Sequence, residues 1–168
     1  LLVKCIDLLS KVADVDVIVI YGNHDHERAY SAGSYLTAWY KDNKNVTVNN
    51  IPTMRKYYNY YNNLLGLTHG HLIKVKELPE IMASESRELW GKTKFHEWHI
   101  GHLHHKKTTV HGVFDTETEF HGTRVKILPS LVAIDAWHSL KGYGAQREAQ
   151  SFTWHREYGN IGQINYTV

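Results

Sequence analysis

The order of apolar and polar positions along the chain predicts a succession of short helices and strands. Leu1, Leu2, Cys5, Ile6, Leu8, Leu9 and Val12 fall on one face at helical spacing, which predicts an opening helix over residues 1–13. Residues 15–21 follow, with Val17, Ile18, Val19 and Ile20 in unbroken succession, the pattern of a strand buried on both faces. After the polar loop Gly22-Asn23-His24-Asp25, residues 27–40 read as a helix, with Tyr35 and Trp39, and Leu36 and Tyr40, four apart. Residues 46–48 form a short strand. Residues 56–61 and 64–68 form the arms of a hairpin around Asn62-Asn63, and the second arm runs into His69-Gly70-His71. Pro79 suits the first turn of a helix reaching Trp90. Residues 95–100 read as a strand ending at Gly101-His102-Leu103-His104, residues 108–114 and 120–128 as further strands, and residues 151–157 and 161–168 as a terminal hairpin. Residues 129–150 show no clear period. Helix and strand mix in the first half and strand dominates the second, so the fold class expected is α/β with an antiparallel-rich end.

Composition narrows this only a little. A chain of 168 residues without repeats or linkers reads as one domain, 1–168, with a core large enough to need no covalent staple. The single cysteine, Cys5, excludes an internal disulfide and any site built from several thiolates. A net charge of +2, from 19 basic and 17 acidic residues, is too small to indicate nucleic acid by itself. No apolar run approaches the ~18–20 residues of a membrane span. No targeting signal is visible either, so a cytoplasmic protein without a membrane partner is expected. The unusual count is 13 histidines.

Some of those histidines occupy one kind of place. Three apolar strands run directly into short loops that set histidine beside glycine: Gly22-Asn23-His24-Asp25, His69-Gly70-His71 and Gly101-His102-Leu103-His104. Ligand sites in open sheets lie at the carboxyl ends of strands. Glycine lets the backbone turn sharply there, and neutral imidazole with amide oxygen suits manganese, iron or zinc. Asn23, His69, His102 and His104 therefore make a plausible ligand constellation. His71 faces either a substrate or a turn. His26, His96, His99, His105, His111, His121, His138 and His155 lack this context and are expected to be structural or surface residues.

In this order the three loops resemble the third, fourth and fifth motifs of the calcineurin-like metallophosphoesterases, over about residues 15–128. The tail, with Pro129-Ser130-Leu131 and Asp135-Ala136-Trp137-His138, is similar to phage and prophage members of that family. The resemblance implies a β-sandwich flanked by helices and two divalent metal ions (manganese, iron or zinc). It places Asn23, His69 and His102 on one ion and His104 on the other. His24 would protonate the leaving oxygen of a phosphate mono- or diester, with hydroxide activated by the two ions as nucleophile. Asp25 would orient His24, while Arg28 and His71 would touch the substrate.

One departure stands against the match. The family's upstream Asp-x-His and Gly-Asp-x-x-Asp motifs, which supply most ligands of the first ion, have no counterpart among the 21 residues before Gly22. The chain is thus expected to be the carboxyl-terminal part of a longer enzyme and inactive alone. Two further readings stay open. One is a nuclease similar to the DNA-repair exonuclease branch, using Tyr57, Tyr58, Tyr60 and Tyr61 beside Arg55 and Lys56 on DNA bases. The other is a non-catalytic scaffold or metal-storage protein. The sequence leaves oligomeric state undetermined.

Overall fold

The structure is a computed structural model that describes residues 1–102, 108–109, 112–113, 117–131 and 147–167. It divides into two compact units, Leu1–Lys56 and Tyr57–Val168. The whole is mixed α/β with open sheets.

The first unit contains α1 (Leu2–Leu9), β1 (Val15–Ile18), α2 (His26–Trp39) and β2 (Val46–Asn49). β1 and β2 pair in parallel, from Val15 opposite Val46 to Ile18 opposite Asn49, and the Val19 N–H extends the ladder to Asn49 O at 3.1 Å. The strand is shorter than its apolar run and is only half-buried, with Asp16 exposed. The core is Ile6, Leu36, Tyr40 and Val46, with Val3, Val15, Val17 and Val48 packed against it.

Here α1 departs from expectation. Its packing stripe is Val3 and Ile6, whereas Leu1, Leu2, Leu8, Leu9 and Val12 are all more than half exposed. Beside that stripe the buried Tyr40 side chain reaches the helix backbone and the exposed Asp7. The Tyr40 hydroxyl lies 2.9 Å from Asp7 Oδ1 and 3.1 Å from Val3 O.

The second unit is built on a five-stranded mixed sheet in the order β3-β4-β5-β9-β8. The strands are β3 (Arg55–Tyr60), which begins at the end of the first unit, β4 (Asn63–Thr68), β5 (Phe95–Ile100), β8 (Glu117–Phe120) and β9 (Thr123–Ile127). β4, β5 and β9 run parallel to one another, and β8 is antiparallel to β9. Between β4 and β5 the chain makes a 3₁₀ turn (Val75–Glu77), then α3 (Leu78–Glu85) and α4 (Arg87–Lys92). The one helix expected here is two, because Ser86 leaves helical geometry at φ −117° and ψ 41°. The expected strand over 120–128 is the second arm of a hairpin. His121 and Gly122 take φ of 50° and 75°, the geometry of a tight two-residue turn. Thr108–Thr109 (β6) pairs antiparallel with Gly112–Val113 (β7) where one strand was expected.

Side-chain parity splits the sheet cleanly. Leu64, Trp98, Ile100 and Val125 face α3 and α4, where they pack with Leu78 and Met82. Trp98 is wholly buried and its indole N–H donates to Leu78 O at 2.9 Å. The opposite face carries Glu97, His99, Arg124 and Lys126, and the hairpin β10 (Glu148–His155) with β11 (Gly159–Thr167) covers it. Phe152 lies 4.5 Å from the His99 ring and 5.0 Å from Lys126 Nζ, and Lys126 donates to Gln163 Oε1 at 3.1 Å. Gly159, at φ 80°, sits so close to the Phe95 ring that a Cβ would stand 3.0 Å from it.

The buried Tyr40 phenol predicts a pH dependence. Desolvation, and secondly the Asp7 carboxylate, push its pKa up to about 12 from 10. The neutral phenol is therefore favoured by folding, so its contribution is complete below pH 10 and disappears as pH rises towards 12. Thermal melts across that window should show the wild-type chain losing stability more steeply than Tyr40→Phe. Parallel slopes would remove Tyr40 as the cause.

Candidate functional site

The strongest convergence of chemistry lies at the carboxyl ends of β4 and β5. Their parallel register sets Thr68 opposite Ile100, so the residues that follow leave the sheet side by side. His69 comes next after Thr68, and His102 follows Ile100 by two. Two backbone features turn them towards each other. Gly70 takes φ of 90°, which glycine adopts freely, while His102 takes φ of 61°, where a side chain costs ~1–2 kcal/mol. Strain of this kind persists only where neighbouring structure holds it, and it concentrates at functional positions.

The result is a nest of three half-buried imidazoles. His102 Nδ1 and His69 Nε2 lie 3.2 Å apart, one donating and the other accepting. The His71 ring centroid is 5.4 Å from that of His69 and 6.0 Å from that of His102. Two nitrogens on one tetrahedral ion at ~2.0–2.1 Å stand about 3.3 Å apart, so the His69–His102 spacing is that of two ligands of one ion. Among the described residues no group of three or more His, Cys, Asp or Glu side chains is arranged to hold a metal ion. What the second unit offers is a two-nitrogen pair with a third imidazole nearby. His104 lies outside the described residues.

The Gly22-Asn23-His24-Asp25 loop belongs to the first unit, at the end of the β1 segment. Its anchor is Tyr21, 1% exposed, whose hydroxyl reaches Asn50 O at 2.7 Å and Asn50 Oδ1 at 2.8 Å. Asn50 in turn donates to Tyr30 O and Ser34 Oγ of α2, and it packs where a Cβ on Gly33 would collide with it. Burial raises the Tyr21 pKa, with Tyr30 a smaller cause. Asn23, His24, Asp25 and Arg28 are all exposed, Arg28 in the first turn of α2. The Asp25 carboxylate, expected on the His24 ring, accepts the Gly22 N–H at 2.8 Å and so closes the loop on itself.

Of the histidines expected to be structural, His96 stacks on Trp90 at 3.8 Å and meets Thr93 Oγ1 at 3.0 Å; burial lowers its pKa. His155 stacks on Tyr158 at 4.5 Å, and His121 forms a turn. His105, His111 and His138 lie outside the described residues. His99 is buried, with Nε2 2.7 Å from Glu97 Oε1. That pair heads a polar network that sequence reasoning missed. Lys126 Nζ lies 3.1 Å from Glu117 Oε2 and 4.0 Å from Glu97 Oε1, and Arg124 lies 3.9 Å from Glu97 Oε2. A charged residue inside a strand ordinarily signals a solvated face, so nothing in the sequence marks Glu97 as 3% exposed.

No family model, no curated protein and no solved structure matches this chain. No helix among the described residues is long and apolar enough to cross a membrane.

The left-handed backbone at His102 gives a direct test of the site's strain. Either His102→Ala or His102→Gly removes the imidazole, but only glycine relieves the φ of 61°. Denaturant unfolding should find His102→Gly more stable than His102→Ala by ~1 kcal/mol. Equal stability would show that the position is unstrained.

Proposed function

We propose that the chain is the metal-binding part of a phosphoesterase of the calcineurin-like kind, built on a β-sandwich flanked by helices. The observation that carries this reading is the 3.2 Å approach of His69 and His102 at the ends of adjacent parallel strands. The donor set also favours it. Neutral nitrogen and amide oxygen leave a bound divalent ion its full positive charge, which suits an anionic phosphate ester.

On this reading His69 and His102 would hold one divalent ion, and His104 would serve a second. Bound ions of this class polarise phosphoryl oxygens and make water a better nucleophile at neutral pH. His24, exposed on its loop, delivers a proton to the leaving oxygen, a role worth ~10²–10⁴-fold in rate. Asp25 fixes the loop through Gly22 N–H, and so positions His24 through the backbone. Arg28 and His71 are the groups assigned to phosphate oxygens.

Calorimetric titration with Mn²⁺ or Zn²⁺ tests the ligand set without requiring turnover. His69→Ala and His102→Ala should each weaken binding beyond the roughly 10–100-fold that loss of an outer partner costs. His24→Ala should leave affinity unchanged, and in a chain that also carries the upstream aspartate motifs it should lower hydrolysis of bis(4-nitrophenyl) phosphate. Metal lost with His24, or retained without His69 and His102, contradicts the assignment.

A further inference from the structure

The sheet face that bears Glu97 and His99 also carries an aromatic cleft in its β3–β4 corner. Tyr58 and Tyr60 on β3, Leu65 on β4 and Trp154 on β10 line an open cavity of about 370 Å³. We propose that this cleft binds a base of single-stranded nucleic acid by stacking.

Three features of the cleft favour this occupant. The volume is at the small end of the ~300–1,000 Å³ of ligand sites, which suits one or two planar rings and not a folded partner's surface. The lining is two phenols, an indole and one aliphatic side chain. It offers broad π faces with few hydrogen-bonding groups, whereas a sugar needs its hydroxyls matched. Any base has a π face, so such a lining accepts bases without selecting among them. Finally, the turn that closes β3 onto β4 is flanked by cations. Asn62 accepts from the Lys94 N–H at 2.9 Å and donates to Arg156 O at 3.2 Å, and both cationic residues are exposed. Exposed Lys94 and Arg156 are the groups offered to a phosphodiester backbone, while of the neighbouring carboxylates Glu97 is buried on the same sheet face and Glu157 is exposed. A base within a duplex has both faces covered, so the strand must be single.

This inference goes beyond the phosphoesterase reading and does not rest on it, because binding is measured with EDTA present. The probe is fluorescein-labelled oligothymidylate, followed by anisotropy on the full chain. Tyr58→Ala, Tyr60→Ala and Trp154→Leu should each weaken binding by about 5- to 150-fold, the equivalent of one lost stacking contact. Tyr58→Phe and Trp154→Phe should largely restore it, and His69→Ala should have no effect. Lys94→Ala or Arg156→Ala should lower the slope of affinity against salt by about one. Tyr60 is 38% exposed, so its replacement tests the cleft even if Trp154→Leu fails to fold. Undiminished binding by Tyr60→Ala, equal affinity for an abasic oligomer, or preference for an oligosaccharide would each overturn the proposal.

Discussion

Parallel pairing of β4 with β5 is the constraint on which the candidate site depends. Strand direction alone decides that the segments after Thr68 and Ile100 emerge at one edge of the sheet. A slip of one residue would turn Leu64, Trp98 and Ile100 from the helix-facing core towards the other face, and would also misplace His69 relative to His102. The same apolar contacts that fix the core thus fix the distance between two imidazoles. Packing around Trp98, Leu78 and Met82 resists any such slip, since all three are essentially inaccessible to water.

The two faces of that sheet solve the burial problem differently. On the helix side the solution is ordinary apolar packing, with the indole N–H of Trp98 satisfied by a carbonyl. Under the hairpin, Glu97, His99 and Lys126 are buried, and each needs partners to offset lost hydration. Glu97 draws on His99, Arg124 and Lys126, while Lys126 also uses Glu117 and Gln163. Removing one member of such a set leaves another charge buried and unmatched, typically at ~3–5 kcal/mol. Of these contacts the Lys126–Gln163 bond reaches the hairpin, beside the packing of Phe152 on His99 and Lys126.

Strand ends rich in histidine and glycine could be read from the chain because apolar runs of strand length stop abruptly at those loops. The parallel arrangement then follows from the helical crossover starting at Pro79. Elements failed where local pattern underdetermines context. Leucines at helical spacing predicted α1, but the residues that pack are Val3 and Ile6, while the Tyr40 hydroxyl meets Val3 O and the exposed Asp7. The burial of Glu97 and Lys126 was not legible, because nothing local announces that a hairpin more than 20 residues further on will cover them. Asp25 was expected on its neighbour's ring, and its carboxylate accepts the Gly22 N–H. Of the proposed ligands, His69 and His102 meet, Asn23 sits in the amino-terminal unit, and His104 falls outside the described residues.

The connectivity of the central sheet also bears on the order in which the molecule assembles. The turns between β8 and β9 and between β10 and β11 join partners adjacent in sequence, and hairpins of that sort close in ~1–10 μs. β4 meets β5 only after the stretch from Thr68 to Phe95 has folded back, and β5 meets β9 only after a second long excursion. Contacts between residues distant along the chain are entropically late. His69 and His102 are brought together by the first of these closures, so the imidazole pair forms only once β4 and β5 have paired.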